Sequence, residues 1–294
     1  MESLGVVAAG RAARLYADAS RVVRRTGSAS TALDVFGPVD RGDLARWNEV
    51  TAQRHDAYRS AVEPLDARVA VICSSNRPAD LPNAVASIGG QLHPRLELVV
   101  VAHGDGWDLA DVEASLAVLD EQLDRVTLLH IDATKTLGAC LNAALATTDA
   151  RFVAKFDSDD HYGAHYLTDA LRAHRFAGAG IVGKHSYYAH LEHSDEYLLR
   201  FPGNEFRYTS TMAGGTFVID RDVVDDQPFA DVSIGEDRQF IARCHRRGIS
   251  TFSADRFNYT IVRSGANTWT IPTDAFSAQA IALGGNIDSG EIER

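Results

Sequence analysis

The strongest constraint on this chain is an alternation of segments between residues 68 and 156. Short β-branched apolar runs, Arg68–Ser74 (RVAVICS), Leu96–Ala102 (LELVVVA), Val126–Ile131 and Arg151–Phe156, are separated by stretches of helical periodicity. Nearly continuous apolar runs of this length suit strands covered on both faces. Between the first two, Leu81, Val85, Ile88 and Leu92 fall on one face of a helix. Val112, Leu116, Leu119 and Leu123 repeat the pattern, and Leu137–Ala146 is helical as well. Strands that alternate with helices close into an α/β domain with a mainly parallel, Rossmann-like central sheet. Ligands bind such sheets at the carboxyl ends of the strands. The loops after Cys73, Ala102, Ile131 and Phe156 are therefore where chemistry is expected.

A chain of 294 residues has room for one large domain with an extension. Its 29 basic residues against 40 acidic ones give a formal charge of −11, which argues against a nucleic-acid partner. Cys73, Cys140 and Cys244 are odd in number and far apart, which points to a reducing compartment rather than a disulfide framework. No apolar run approaches the roughly 18–20 residues that cross a bilayer, and the N-terminus lacks the pattern of a signal peptide. A cytoplasmic protein is expected.

The first 66 residues differ in character from the remainder of the chain. Residues 3–25 have the pattern of a helix bearing Arg11, Arg14, Arg21, Arg24 and Arg25, locally basic in an acidic chain. Packing on its own domain is the simpler account of it; peripheral contact with an anionic membrane surface or a protein is the other. Gly27–Thr31 has the composition of a linker, and a second helical stretch runs from Asp43 to Val62. The expected division is a helical extension over 1–66, a catalytic domain over 67–270 and a tail over 271–294.

Phe156 is followed by Asp157-Ser158-Asp159-Asp160, three carboxylates in four residues at the end of a core strand. Unpaired they would repel one another, so a cation is expected among them. Oxygen-rich sites of this kind suit Mg²⁺ or Mn²⁺, held by one or two carboxylates and completed by substrate phosphates. A turn capping the helix that begins near Ala164 is the plainer account. Strand alternation puts Lys155 and Asp157 on one face, where the lysine would help to keep the acid ionised.

Here the sequence resembles a known family. R-V-A-V-I-C-S-S-N-R-P (68–78), L-G-A-C-L-N-A-A-L (137–145), F-D-S-D-D (156–160) and G-E-D-R-Q-F (235–240) stand in the order and at the spacing of family 2 glycosyltransferases. The resemblance covers residues 68–270 and implies a single domain of the glycosyltransferase A, or nucleotide-diphospho-sugar transferase, fold. It implies a nucleotide-sugar donor, with UDP the usual carrier, a glycan or glycolipid acceptor, and Mn²⁺ or Mg²⁺. The loop with Ser74, Asn76 and Arg77 would meet the nucleotide, although Cys73 and Ser75 replace the family's usual proline and tyrosine. Ala102-His103 stands where an acidic pair commonly holds the nucleoside, which leaves the base open to GDP or another nucleotide. Asp159 falls on the metal-ligating position, and Asp157 would serve the ribose or the metal shell, with Ser158 beside it.

Glu236-Asp237 precedes an amphipathic helix and, on local grounds alone, is a pair stabilised by the helix start. The resemblance makes Asp237 the general base for the acceptor hydroxyl, with Glu236 next to it, and implies inversion at the anomeric carbon. Gly214-Gly215 permits close approach of a ligand, though a tight bend explains it equally. The resemblance places it beside the donor sugar. Arg263-Ser-Gly-Ala-Asn-Thr268 resembles a loop that closes over the diphosphate, with Arg263 a phosphate contact; Trp269, just past it, is a packing residue or a sugar platform. His161 with His165, and His185, His190 and His193, lack the partners of a metal site. Lys135 is a solvated residue near a possible phosphate. Acceptor contacts are expected from a variable segment, 185–212, with Tyr187, Tyr188, His190 and Arg207. Two other functions fit parts of the pattern. A non-catalytic sugar-nucleotide-binding scaffold would not need Asp237. A haloacid-dehalogenase-type phosphatase would carry its acidic motif after the first strand, not the fourth.

Overall fold

The computed structural model describes residues 41–223, 228–265, 272–285, 287 and 289–294. The basic helix expected over 3–25, the linker at 27–31, Trp269 and the far half of the 263–268 loop lie outside the described residues. Helix α1 (Arg41–Ala61) leads into β1 (Val69–Ser75), α2 (Leu81–Gly89), β2 (Leu96–His103), α3 (Leu109–Leu116), β3 (Arg125–Ile131), α4 (Leu137–Leu145) and β4 (Phe152–Phe156). The alternation of the sequence is thus met element for element. After the acidic loop come β5 (His161–Tyr162), α5 (Tyr166–Ala177), β6 (Ile181–Gly183), β7 (Tyr187–Leu191), β8 (Glu196–Arg200), β9 (Arg207–Tyr208) and β10 (Val218–Asp220). The chain ends with α6 (Glu236–Arg246), β11 (Thr251–Ser253), β12 (Tyr259–Arg263), α7 (Thr273–Ser277), β13 (Ala280–Gly284) and α8 (Ser289–Ile292). Among the described residues no helix is long and apolar enough to cross a membrane.

The main sheet has the order β3-β2-β1-β4-β10-β6-β11-β9. Strands β3, β2, β1 and β4 are parallel, and β10 enters antiparallel between β4 and β6. Chain order runs outward from β1 to β3 and then reverses to β4, so the crevice between β1 and β4 is the topological switch point. One face packs on α2, α3 and α5 through Val69, Val71, Ile88, Val112 and Leu171. The other packs on α4 and α6 through Ile72, Val99, Val101, Leu141, Val153 and Phe240. A second sheet, β13-β8-β7-β12-β5, stands beside the first. Residues 187–200 form its central hairpin, not the variable acceptor loop expected there: Tyr187 and Tyr188 are buried, His190 stacks on Tyr197 and pairs with Asp195 at 2.9 Å, and Arg207 donates to Asn204. Strand alternation turns these neighbours to opposite faces of the sheet and both are covered, so the tyrosines belong to the core.

Helix α1 packs on this body. Tyr58 lies edge-on to Phe206 and Phe176, and Arg59 grips Asp169 through two nitrogens at 3.1 and 2.7 Å. Asp169 is 1% exposed and also accepts from Arg172 at 3.0 Å and Asn258 at 3.1 Å, with His55 at 3.7 Å. One buried carboxylate thereby joins α1, α5 and the start of β12. Removing it leaves two guanidinium groups without their anion, a loss of about 3–5 kcal/mol. Asp169→Ala is therefore expected to lower the stability measured by denaturant unfolding by that amount; a change below about 1 kcal/mol would show that α1 is not anchored through this acid.

Candidate active site

The acidic loop leaves β4 at the switch point, and its three carboxylates have three different environments. Asp160 is 2% exposed and faces inward, accepting from the Tyr259 hydroxyl at 2.6 Å and the Val262 amide at 3.1 Å. Burial, then the charges of Asp157 and Asp159, drive its carboxyl well above the usual range against those two hydrogen bonds. Asp159 turns toward solvent and pairs with Arg77 at 2.6 Å, while the same guanidinium holds Asp80 at 2.5 Å. Asp157 pairs with Lys155 at 2.7 Å, as their shared strand face predicts. The loop does not cap the following helix: α5 begins at Tyr166 behind His165, without a side-chain cap.

Lys155 has a second acid, Asp237 Oδ2, at 3.5 Å. Burial alone would lower the pKa of this ammonium group, but Asp157, Asp237 and Glu236 outweigh it and hold the group charged. Glu236 and Asp237 open α6 behind Gly235, which has no side chain to cap with and adopts φ 82°. Burial, and next the Asp237 charge, push Glu236 up to about 7. Burial also raises Asp237, with Lys155 opposing. Glu236 is 4% exposed whereas the Asp237 side chain is 25% exposed, so Asp237 is the member of the pair that reaches the cleft. Its Oδ1 is enclosed and has no hydrogen-bond partner among the described residues.

Gly214 and Gly215 fill the gap between the two acids. A Cβ on Gly214 would stand 1.7 Å from Asp237 Oδ2, and one on Gly215 would stand 2.7 Å from Asp157 Oδ2. No side chain fits at either position, so the pair is required by close approach and not merely by a bend. Tyr162 ties the same parts together: its hydroxyl accepts from the Asp157 amide at 2.8 Å and donates to the Gly215 carbonyl at 2.7 Å. Its ring stacks on Phe156 at 3.7 Å. Sequence reasoning missed Tyr162, and it missed Asn83, whose amide donates to the Ser158 and Asp160 carbonyls at 2.7 and 2.9 Å. Neither carries a local signal, because both act on chain segments that the fold brings to them.

The remaining candidates are distributed around this centre. Ser74 lies in β1 beside the Cys140 thiol, and Asn76 is exposed in the next turn. Ser158 is buried, and its hydroxyl donates to Ser75 at 2.8 Å, inside the fold. Arg263 ends β12 over the Phe276 ring and lines a cleft of about 200 Å³ with Leu191, His193, Ser264, Gly265 and Thr273; no residue of the acidic loop lines it. Lys135 is exposed, its carbonyl accepting from His103 Nε2 at 2.9 Å. His161 pairs with Glu293 at 2.5 Å. Among the described residues no group of three or more His, Cys, Asp or Glu side chains is arranged to hold a metal.

The model of glycosyl transferase family 2 matches residues 69–225, more than half of the chain, and the protein belongs to that family. In fold it is similar to the mannosyltransferase PcManGT from Pyrobaculum calidifontis, solved in complex with GDP-Man and Mn²⁺. The TM-score is 0.54 at 17% identity, over 75% of this chain and 65% of that one. It is similar also to S. aureus TarS 1-349 in complex with UDP-GlcNAc, with a TM-score of 0.52 at 16% identity, over 72% and 64% of the two chains. The alignments thus span slightly less than two thirds of each neighbour. No curated protein matches the sequence.

The buried pair of acids has a measurable consequence. The Glu236 carboxyl binds its proton more tightly in the folded chain than in the unfolded one, where the ordinary value is 4.5. The native state therefore loses relative stability as pH rises from about 4.5 to about 7. Glu236→Gln removes that loss, so its melting temperature is expected to gain on the wild type between pH 5 and pH 8. A difference independent of pH would mean that Glu236 is not held protonated.

Proposed function

We propose that the protein is an inverting transferase that moves a sugar from a nucleoside-diphosphate donor, with UDP the first carrier to test, to a hydroxyl of a glycan or glycoconjugate. The observation that carries this is that Lys155 lies between Asp157 and Asp237 while the Gly214-Gly215 backbone packs against both acids with no side chain to crowd them. Asp237 takes the proton of the acceptor hydroxyl as its oxygen bonds to the anomeric carbon. The bond from that carbon to the diphosphate oxygen breaks, and its electron pair leaves with the diphosphate. A positioned base of this kind is worth on the order of 10²–10⁴ in rate. A single base opposite the leaving group supports in-line displacement with inversion. Lys155 keeps Asp237 anionic against its burial, and Glu236 retains the proton that both acids would otherwise contest.

The donor set also suits a divalent cation. Asp159 and Asp157 are hard oxygen ligands at the cleft mouth, and two carboxylates with phosphate oxygens are the usual shell of Mg²⁺ or Mn²⁺. Asp159, which would share its carboxylate with Arg77, and Asp157 would hold the ion. Its charge would oppose the negative charge that gathers on the departing diphosphate. Arg77, Ser74 and Asn76 at the end of β1 support donor binding beside it, and Arg263 is the proposed phosphate contact on the second sheet.

Release of nucleoside diphosphate from a panel of nucleotide sugars with Mn²⁺ tests the proposal. Asp237→Asn is expected to retain donor binding while turnover falls by about 10²-fold or more. Chelation or Asp159→Asn is expected to abolish both turnover and metal-dependent donor binding. Near-normal turnover in Asp237→Asn would remove the base, and binding indifferent to chelator would remove the metal.

A further inference from the structure

The two acids proposed above as ligands of a divalent cation already face cations of the chain itself. Lys155 lies 2.7 Å from Asp157, and Arg77 Nη2 lies 2.6 Å from Asp159 Oδ2. These two cations differ in freedom. The Lys155 side chain is 6% exposed and is committed also to Asp237 at 3.5 Å, so it is held in place. The Arg77 side chain is 24% exposed and spans two acids, with its Nε 2.5 Å from Asp80 Oδ2. It is the cation able to turn.

The backbone around this contact is pinned. The Arg77 amide donates to Ser75 Oγ at 3.1 Å, and Ser158 Oγ donates to the same oxygen at 2.8 Å. Asn83 Nδ2 donates to the Ser158 and Asp160 carbonyls at 2.7 and 2.9 Å, on either side of Asp159. The turn after β1 and the loop after β4 are thereby fixed to each other, and the backbone keeps the guanidinium beside the acid. Charge then decides what a dication meets there. Asp157 with Lys155 carries no net charge, while Asp80, Asp159 and Arg77 together carry a single negative one. A dication on Asp159 would reverse that sign beside a guanidinium on the same carboxylate, and like charges in such contact repel strongly. A diphosphate supplies the missing negative charge.

We infer that Arg77 makes binding of the divalent cation depend on the donor: its charge opposes the ion on the free protein, and the diphosphate relieves the opposition. The inference rests on the assignment of Asp157 and Asp159 as ligands made above. The coupling is reciprocal, because the factor by which the nucleotide raises the ion's affinity is also the factor by which the ion raises the nucleotide's.

The test is titration of the full chain with Mn²⁺ followed by electron paramagnetic resonance, first without nucleotide. Arg77→Gln, which removes the charge, is expected to bind Mn²⁺ about tenfold more tightly than the wild type. Arg77→Met, which keeps the length of the stem, is expected to do the same and serves if the glutamine variant does not fold. Arg77→Lys, which keeps the charge, is expected to stay within about threefold of the wild type. Calorimetric titration of UDP and GDP with Mn²⁺ and with chelator then gives the coupling, which is expected to be about tenfold smaller in Arg77→Gln than in the wild type. A merely structural role for Arg77 would loosen the acidic loop and weaken Mn²⁺ binding in every variant. Equal or weaker Mn²⁺ binding by a folded Arg77→Gln or Arg77→Met protein, or a wild type whose Mn²⁺ affinity no nucleotide raises, would overturn the inference while leaving the metal assignment. Mn²⁺ binding by none of these proteins, with or without nucleotide, would overturn the metal assignment and this inference together.

Discussion

The site depends on one buried ammonium group. Lys155 is placed inside the sheet by strand alternation, with its Nζ at 2.7 Å from Asp157 and 3.5 Å from Asp237. An ion so enclosed is stable only if its charge is matched, and the two carboxylates beside it supply that match. The two acids come from segments eighty residues apart in the chain. The lysine thus performs two tasks with a single charge: it joins the end of β4 to the start of α6, and it keeps two anions in one cleft despite their mutual repulsion.

The rest of the local structure serves to hold that arrangement rigid. Phe156, Tyr162, Tyr166 and Tyr259 form a continuous aromatic block beneath the acidic loop. The Tyr162 hydroxyl, at the edge of this block, bonds the loop to the glycine turn. Asp160 anchors the loop from below, so the acid nearest the core is structural, while Asp157 and Asp159 stay partly exposed. Main sheet, second sheet and α1 are in turn fastened through Asp169, whose partners come from three elements. Precision of the cleft is therefore supported by buried polar groups that are satisfied by long-range partners, an arrangement that fails as a whole when one member is lost.

Much of this was legible in the sequence because it depends on local periodicity. The strands at 69–75, 96–103, 125–131 and 152–156 arise from apolar runs, and the pairing of Lys155 with Asp157 arises from a two-residue strand repeat. Of the local alternatives for the acidic segments, a cap on α5 fails, since that helix starts behind His165 without one, whereas Glu236 and Asp237 do stand in the first turn of α6. The segment 185–212 reads in sequence as an open acceptor loop, since Tyr187, Tyr188 and His190 alternate too weakly with their neighbours to announce a hairpin. Its partners, β12 and β13, lie some seventy residues or more further along the chain. Tyr162, Asn83 and the Arg77–Asp159 pair were illegible for the same reason.

By itself the sequence determined the order of strands and helices along the chain and the residue types able to carry charge after the fourth strand. These depend on spacing along one segment, and apolar burial acts on each segment alike wherever it ends up. Which charges meet was decided only by the tertiary structure. The union of Asp157 with Asp237 through Lys155 and the exclusion of any side chain at 214 and 215 both depend on distances of 2–4 Å between segments remote in the chain. Electrostatic and hydrogen-bond energies vary steeply over such distances, and no pattern within one segment encodes them.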